Sequence, residues 1–404
     1  MHAHGPWSPL AVRAFRALWI ASLVSNLGTF MHAAAAGWTM TTLTDSAALV
    51  GLVQTAWGSP GFLLALPAGA LADLVDRRRL IAASSAVALG VAAVLAALTG
   101  SGRLGPAVLL VGTFVLSSAL TCGAPAFLAL TPTLVDAARL PQAIGLDAVS
   151  RNVAQSVGPA IAGAVIAASG PGAVFALNAT TFLGIIVVAL RLPPAAAGVG
   201  GRGAPFVRAM GDGVRHVVRE RELRHLALRI ATLLASTSSV VALLPLVARE
   251  RVGLEAGGFG LLAGALGFGA VAIVPALPRL RRRVPLERLA LLAAAAWCTS
   301  VVALASATAL AAAAAAVAVG AAATMASLNG QFSAFIVQLP DALRGRGSSL
   351  AMLVVWLGAS VGASIWGAAA GAAGVRGALL AAAATHGVAA LTARVALPVG
   401  RAGN

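Results

Sequence analysis

The sequence contains no lysine and no tyrosine, and only 10% of its 404 residues are charged. Without lysine, the chain cannot form the phosphate-binding loop Gly-x-x-x-x-Gly-Lys, which excludes an ATP-driven motor of that type. The two cysteines, Cys122 and Cys298, lie in separate apolar runs and match no zinc or redox spacing. No acids, histidines and cysteines cluster along the chain. We therefore expect no metal, no cofactor and no enzymatic activity.

Apolar residues are abundant. They make up 59% of the chain, and the mean hydropathy is +0.93. Soluble domains are about 45–50% apolar, so lipid must cover part of this surface. Segments of this length and hydropathy are expected to cross the bilayer as helices. Twelve such segments are predicted, at 16–39, 47–72, 79–100, 105–131, 144–169, 172–191, 224–248, 256–279, 286–305, 308–338, 347–370 and 374–397.

The arginines predict the orientation. If the N-terminus is cytoplasmic, 23 of the 28 arginines fall on the cytoplasmic side and Arg151 falls inside a span. The other side holds Arg103, Arg249, Arg251 and Arg376. The positive-inside rule then places both termini in the cytoplasm. The net charge of +16 is explained by this topology, so we expect no nucleic-acid partner.

The chain also repeats itself. Ser156–Gly163 matches Ser360–Gly367 after a shift of 204 positions, and the basic loop after the second segment recurs at Ala276–Arg283 after a shift of 206. The repeat predicts an all-α membrane protein of two six-helix halves, residues 1–191 and 224–404, joined by a cytoplasmic linker at 192–223. Such internal repeats are typical of transporter folds.

Residues 69–80 carry a more specific pattern. Gly69, Asp73, Arg77 and Arg78 match the loop Gly-x-x-x-Asp-Arg-x-Gly-Arg-Arg, with departures at Leu74 and Asp76. In this loop the chain resembles the major facilitator superfamily. Further stretches resemble its bacterial enterobactin-exporter-like branch, namely 15–19, 24–31, 43–46, 140–143, Gly158-Pro159, 340–341 and 344–346.

The resemblance implies a secondary transporter of the bacterial inner membrane that works by alternating access as a monomer. It implies export of a small amphipathic molecule (a siderophore, drug or secondary metabolite), with the proton as the driving ion. Uniport and coupling through His32 stay open as alternatives. The alternative is a sensor or assembly partner that keeps the fold without transporting. Flux in proteoliposomes with and without a pH gradient separates the two.

The charged candidates lie near the predicted cytoplasmic side. Resemblance implies that Asp73, with the nearby arginines, locks the two halves together; the alternative is a solvated loop that only sets topology. Asp147, Arg151 and Gln155 recur every four positions and share one helix face. A charge at a helix centre costs roughly 2.5–3.5 kcal/mol on insertion scales. Arg151 must therefore pair, with Asp147 the nearest acid, or face a wet cavity.

Uncharged polar residues are candidates for a substrate cavity; the alternative for each is a hydrogen bond between helices. These residues are Asn26, His32, Gln54, Ser236, Asn329 and Gln331. His32 could titrate near neutral pH. Gly158 and Pro159 predict a helix bend, because proline removes a backbone hydrogen bond.

Overall fold

The structure is a computed structural model that describes residues 5–192, 215–340 and 344–396. It describes their side chains except those of Leu66, Asp73 and 344–349. The regular elements of these residues are helical. They are α1 (Arg13–Leu43), α2 (Ala47–Leu63), α3 (Ala65–Leu74), α4 (Arg77–Gly100), α5 (Pro106–Leu134), α6 (Leu140–Ser169), α7 (Pro171–Arg191), α8 (Arg221–Leu246), α9 (Ala256–Ala272), α10 (Leu277–Arg283), α11 (Leu286–Ser306), α12 (Leu310–Val337) and α13 (Arg344–Ala396).

Short polar or glycine-containing turns separate the helices. Ser46 caps α2 by accepting a hydrogen bond from Leu49 N, and Asp76 caps α4 by accepting one from Arg78 N. Gly170, with φ of 78°, separates α6 from α7. Gly374, with φ of 74°, interrupts α13 in the same way. Both turns need the left-handed backbone region that glycine adopts readily.

Nine helical segments of the described residues are long and apolar enough to cross a membrane. The predicted count of twelve needs three more spans. They are α2 and α3 taken together as one span, α6 as another, and a division of α13 into two spans at Gly374. The all-helical fold is therefore confirmed, and the number of spans stays a prediction. Of the predicted linker, residues 193–214 lie outside the described residues.

The helices of residues 5–192 meet those of 215–396 along two seams of small residues. In one seam α6 packs on α9, where a Cβ placed on Gly163 would lie 2.7 Å from Gly260 Cα. In the other, α2 packs on α13, where a Cβ on Gly51 would lie 2.7 Å from Gly367 Cα. Both seams include the repeated sequence, because Gly163 and Gly367 occupy the same place in its two copies.

One end of the molecule is sealed between these two helix sets. The sealed end is the one away from the arginine clusters. It has a single apolar core that contains Trp38 of α1 and Phe259 of α9. The two rings stack with centroids 5.3 Å apart. Arg249, just after α8, donates a hydrogen bond to Thr41 O of α1.

The arginine-rich end, which holds residues 77–79, 139, 191, 279–283 and 288, is arranged differently. A core around Leu80 and Leu130 belongs to residues 5–192, and a core around Ile230 and Phe335 belongs to 215–396. Among the described residues, no apolar core at this end joins the two sets. The apolar cores of the described residues therefore join the two sets at one end only.

Candidate functional site

A polar cavity of ≈270 Å³ lies within residues 5–192, among α1, α4, α5, α6 and α7. Its polar lining residues are Ser22, Ser25, Asn26, Thr29, Ser84, Ser85, Asp147, Ser150 and Arg151. Those of α1 recur every three or four positions and so share one helix face. Asn26 Nδ2 donates to Ser150 Oγ at 3.0 Å, which links α1 to α6. The cavity thus presents hydroxyls, an amide and one charge of each sign.

Asp147 and Arg151 both line this cavity, as their shared helix face predicts. Asp147 Oδ2 accepts a hydrogen bond from Thr131 Oγ1 at 3.4 Å, and Arg151 is exposed. The described ion pairs include none between Asp147 and Arg151, so pairing of these two residues stays a prediction. The cavity is open, so the guanidinium of Arg151 can stay hydrated. Hydration in a wet cavity is the second alternative that the sequence offers for a charge within a helix.

Gln155, the third residue of that predicted row, lies in a different cavity of ≈170 Å³. The remaining walls of this cavity come from α8, α9, α11, α12 and α13, with Thr237 and Ser238 among its hydroxyl-bearing residues. One helix turn therefore separates Arg151, in the first cavity, from Gln155, in the second. α6 contributes side chains to both.

Ser236, Asn329 and Gln54 line none of the described cavities. Ser236 is buried and donates to Thr232 O at 2.9 Å, while its neighbours Thr237 and Ser238 line the second cavity. Asn329 accepts from Arg281 Nη1 at 3.4 Å at the arginine-rich end. Gln54 is half-buried on α2. For these three the geometry favours helix packing, and a role in substrate contact stays a prediction.

His32 is sealed in the shared apolar core. Its side chain is 0% exposed, and its ring lies 4.7 Å from that of Phe175, centroid to centroid. It lines none of the described cavities. A titrating role for this histidine therefore has no route to water in this state.

The basic loop after α3 contacts only nearby helices. Arg77 Nη1 donates to Ala129 O at 3.2 Å, and Arg281 Nη1 donates to Ser333 Oγ at 3.0 Å. The second pair of residues lies 204 positions after the first pair, the same shift as between Ser156 and Ser360. Arg77 and Arg281 therefore make equivalent hydrogen bonds at repeat-related positions. The side chain of Asp73 lies outside the described residues, so its gating role, with Gly69 one turn before it, stays a prediction.

Arg78 fastens the end of α7. Its Nη2 lies 2.8 Å from Asp76 Oδ2, and its Nη1 donates to Leu192 O at 2.5 Å. In the described structure, Arg77 and Arg78 thus bind within residues 5–192 and form no bridge to residues 215–396. This agrees with the separation of the two cores at the arginine-rich end.

The pair Gly158 and Pro159 lies inside α6, which runs unbroken from Leu140 to Ser169. A Cβ on Gly158 would lie 3.0 Å from Phe30 Cβ, so the glycine allows α6 to approach α1 closely. Close packing is evident at this site, whereas the predicted bend stays a prediction.

Sequence reasoning missed a third, smaller cavity of ≈30 Å³ within residues 215–396. It is lined by Arg229, Gln331 and His386, among others. Arg229 pairs with Glu287 through contacts of 2.5 and 3.0 Å. The available signal was an arginine inside the apolar segment 224–248, which was assigned to topology alone. Gln331, a predicted substrate-cavity residue, lines this small cavity, and its role in substrate contact stays a prediction.

Comparison with known proteins adds independent information. A family model described as transmembrane secretion effector matches residues 4–404. The staphyloferrin A transporter of Staphylococcus aureus (strain NCTC 8325 / PS 47) is 30% identical over 173 residues, which is 43% of each chain. The match therefore covers less than half of that protein.

Solved structures show the same fold at low sequence identity. A bacterial homologue of the human lysosomal transporter Spinster, inward-facing and unoccupied, gives a TM-score of 0.78 at 15% identity, covering 96% of this chain and 97% of that one. The nucleoside transporter NupG gives 0.75 at 12% identity, covering 94% and 98%. The D-xylose–proton symporter gives 0.70 at 12% identity, covering 95% and 98%.

Proposed function

The chain belongs to the transmembrane secretion effector family of the major facilitator superfamily, and from this premise we propose that it exports small amphipathic molecules bearing an anionic group. Secondary transport itself follows from the family, the relative and the fold. The direction, the cargo and the driving ion belong to the proposal. Its support is the polar cavity around Arg151, together with our inference that the molecule is open toward its arginine-rich end, where no described apolar core joins the two helix sets.

Orientation makes that open end cytoplasmic. Arginines concentrate on the cytoplasmic side of bacterial membrane proteins, so both termini face the cytoplasm of a plasma-membrane carrier. A carrier open to the cytoplasm presents its cavity to molecules made inside the cell. Closure of that end and opening of the other would then release the cargo outside, driven by protons.

The cavity chemistry favours an anionic group. Arg151 is exposed in the cavity, and a guanidinium binds carboxylates through charge-assisted hydrogen bonds. Ser22, Ser25 and Ser84 add hydroxyls that can bind oxygen-rich groups. The volume of ≈270 Å³ is below the roughly 300–1,000 Å³ of pockets for whole drug-sized ligands. We infer that the cavity holds the polar part of a larger cargo.

The test uses everted membrane vesicles, whose cytoplasmic face is outside. Staphyloferrin A, the molecule in the name of the Staphylococcus aureus relative, is the anionic siderophore probe. Ethidium is the cationic probe. Energised vesicles with the wild-type carrier are expected to accumulate the siderophore. Arg151→Gln is expected to lower its kcat/KM about tenfold, since a hydrogen bond to a charged group contributes about 1.5–3 kcal/mol.

The control is Arg139→Gln, because Arg139 lies just before α6 and pairs with Asp136 at 3.6 Å. Equal losses in both variants would contradict a cargo role for Arg151. Accumulation only in right-side-out vesicles would reverse the proposed direction. Saturable binding without flux in either orientation would support the sensor alternative.

A further inference from the structure

The small cavity within residues 215–396 is the repeat-related counterpart of the large polar one. Six lining positions of the large cavity recur in the small one after a shift of 204 positions. The matched positions are Ser25 with Arg229, Thr29 with Leu233, Gly123 with Ser327, Phe127 with Gln331, Phe182 with His386 and Ile185 with Ala389. One ancestral pocket therefore occurs twice, with different side chains in each copy.

The two copies differ in room and in chemistry. The first measures ≈270 Å³ and the second ≈30 Å³. Where the first has two phenylalanines and a glycine, the second has Gln331, His386 and Ser327. A cavity of this smaller size holds one or two water molecules when polar groups line it, and no organic cargo. The second copy therefore fits a much smaller ligand than the first.

His386 and Gln331 are buried residues in the wall of this small cavity. Their side chains are 5% and 4% exposed, and both line its wall. Among the described groups, His386 Nδ1 and Gln331 Oε1 have no hydrogen-bond partner. Gln331 Nε2 donates to Ser327 Oγ at 2.9 Å, which fixes the amide with its oxygen available as an acceptor. Such an oxygen suits an imidazolium or a water molecule that bridges to one.

The charged groups around His386 come from two other helices. Arg229 of α8 lines the cavity, and Glu287 of α11 pairs with it, so their charges offset each other at His386. The Glu287 side chain is 31% exposed and lies at the arginine-rich end. Cys298 of α11 donates to Ala383 O of α13 at 3.2 Å. On α12, Gln331 and Ser327 face the cavity and neither titrates.

We propose that this cavity is the proton-binding site of the carrier and that His386 is the group that binds the proton. The inference rests on the proposed proton-driven export. A hydronium ion entering past Glu287 transfers its proton to an unprotonated nitrogen of His386, so that an O–H bond breaks, an N–H bond forms and water is left. Gln331 Oε1 accepts the hydrogen bond of the imidazolium. The reverse transfer releases the proton when the carrier changes state.

The neighbouring indole provides a direct readout of this proton. Trp297 lies edge-on to His386, with ring centroids 4.7 Å apart. An imidazolium quenches indole fluorescence more strongly than a neutral imidazole. Tryptophan emission of the reconstituted full chain is therefore expected to fall on acidification from about pH 8 to about pH 4, a range in which a histidine can titrate.

Variants identify the source of the quenching. His386→Gln and Trp297→Phe are each expected to remove the pH-dependent part of the emission. Gln331→Leu is expected to shift its midpoint to lower pH, because the imidazolium loses its acceptor. His32→Gln is the matched control, since His32 also contacts an aromatic ring at 4.7 Å but lines no described cavity. An unchanged titration in both His386→Gln and Trp297→Phe, or a flat wild-type titration, would overturn the proposal.

Transport assays distinguish this proposal from the proposed function. In proteoliposomes, His386→Gln is expected to lose staphyloferrin A accumulation driven by a pH gradient while keeping siderophore counterflow at equal pH. Accumulation equal to wild type would overturn the proton role of His386. If the wild type shows no counterflow of the siderophore, the cargo proposal fails, and the fluorescence titration still decides whether His386 binds a proton.

Discussion

Asp76 and Arg78 show how a departure from the family loop can serve the fold. The family pattern has glycine where this chain has Asp76, and here the carboxylate caps α4 and contacts the Arg78 side chain at 2.8 and 3.3 Å. The same guanidinium reaches Leu192 O at the end of α7. A single acid thus orders the start of one helix and, through arginine, the end of another.

The pH dependence of stability is expected to reveal this contact. The hydrogen bond from the Arg78 side chain holds the pKa of Asp76 below its usual value. A lowered pKa in the folded state stabilises above the unfolded pKa of about 4, and the benefit disappears as pH falls through the folded value. Asp76→Asn should therefore lower the unfolding temperature at pH 7 by a small amount, since the pair is partly exposed.

The measurement is thermal unfolding of purified protein in detergent at neutral and acidic pH. The difference between wild type and Asp76→Asn is expected to shrink as the pH falls below about 4 and through the lowered pKa of Asp76. Asp45→Asn provides the control, because Asp45 is an exposed acid in the loop between α1 and α2. A difference that stays constant across the pH range would show that the amide disturbs the helix cap instead.

At the residue scale, helix periodicity predicts which side chains share a face, and Asp147 and Arg151 do line one cavity. Periodicity does not distinguish His32 from His386, since the same residue type in two apolar runs is sealed in one case and lines a cavity in the other. Burial of that kind depends on which helices become neighbours, which a single sequence does not specify.

At the scale of elements, the glycine seams explain why the repeat is detectable at all. α6 meets α9 where a Cβ on Gly260 would lie 2.7 Å from both Gly163 Cα and Pro159 O. Backbone atoms cannot move aside as a flexible side chain can, so both positions require glycine at this spacing. The repeated sequence Ser156–Gly163 was read as evidence of duplication, and in the structure it is also a packing surface.

Gly260→Ala is therefore expected to push α6 away from α9. Overpacking of a tight contact costs roughly 1–3 kcal/mol, which should lower the unfolding temperature and slow transport. Gly257→Ala is the matched control in the same helix, because a Cβ there would have no neighbour within 4 Å. Equal stability of the two variants in detergent would show that the seam is looser than the described geometry.

At the scale of the whole molecule, the sequence predicted the class of fold better than its state. Hydrophobic length and the repeat indicated a helical bundle in two halves, and the all-helical fold agrees. Which end is open depends on a small difference between two packings of the same helices. That difference follows from contacts such as Trp38 with Phe259, which are separated by 221 positions and leave no periodic signal.

Arg249 is the residue whose loss should shift the balance between those packings. It donates to Thr41 O across the sealed end, whereas Arg251 donates to Ala305 O within residues 215–396 at 3.0 Å. Removing the first hydrogen bond weakens only the state closed at that end, so Arg249→Gln should increase the population open there. A hydrogen bond from a charged group contributes about 1.5–3 kcal/mol, enough for a shift of about tenfold or more in the ratio of states.

Spin labels on Ser101 and Ala309, both exposed at the sealed end, would measure this shift as a longer distance in pulsed electron resonance. Arg251→Gln is the control, because the hydrogen bond that it removes lies on one side of the interface and does not oppose separation. The same distance distribution in wild type and Arg249→Gln would mean that the apolar core around Trp38 holds this end closed without the arginine. A shift in both variants would instead indicate a general loosening of the segment after α8.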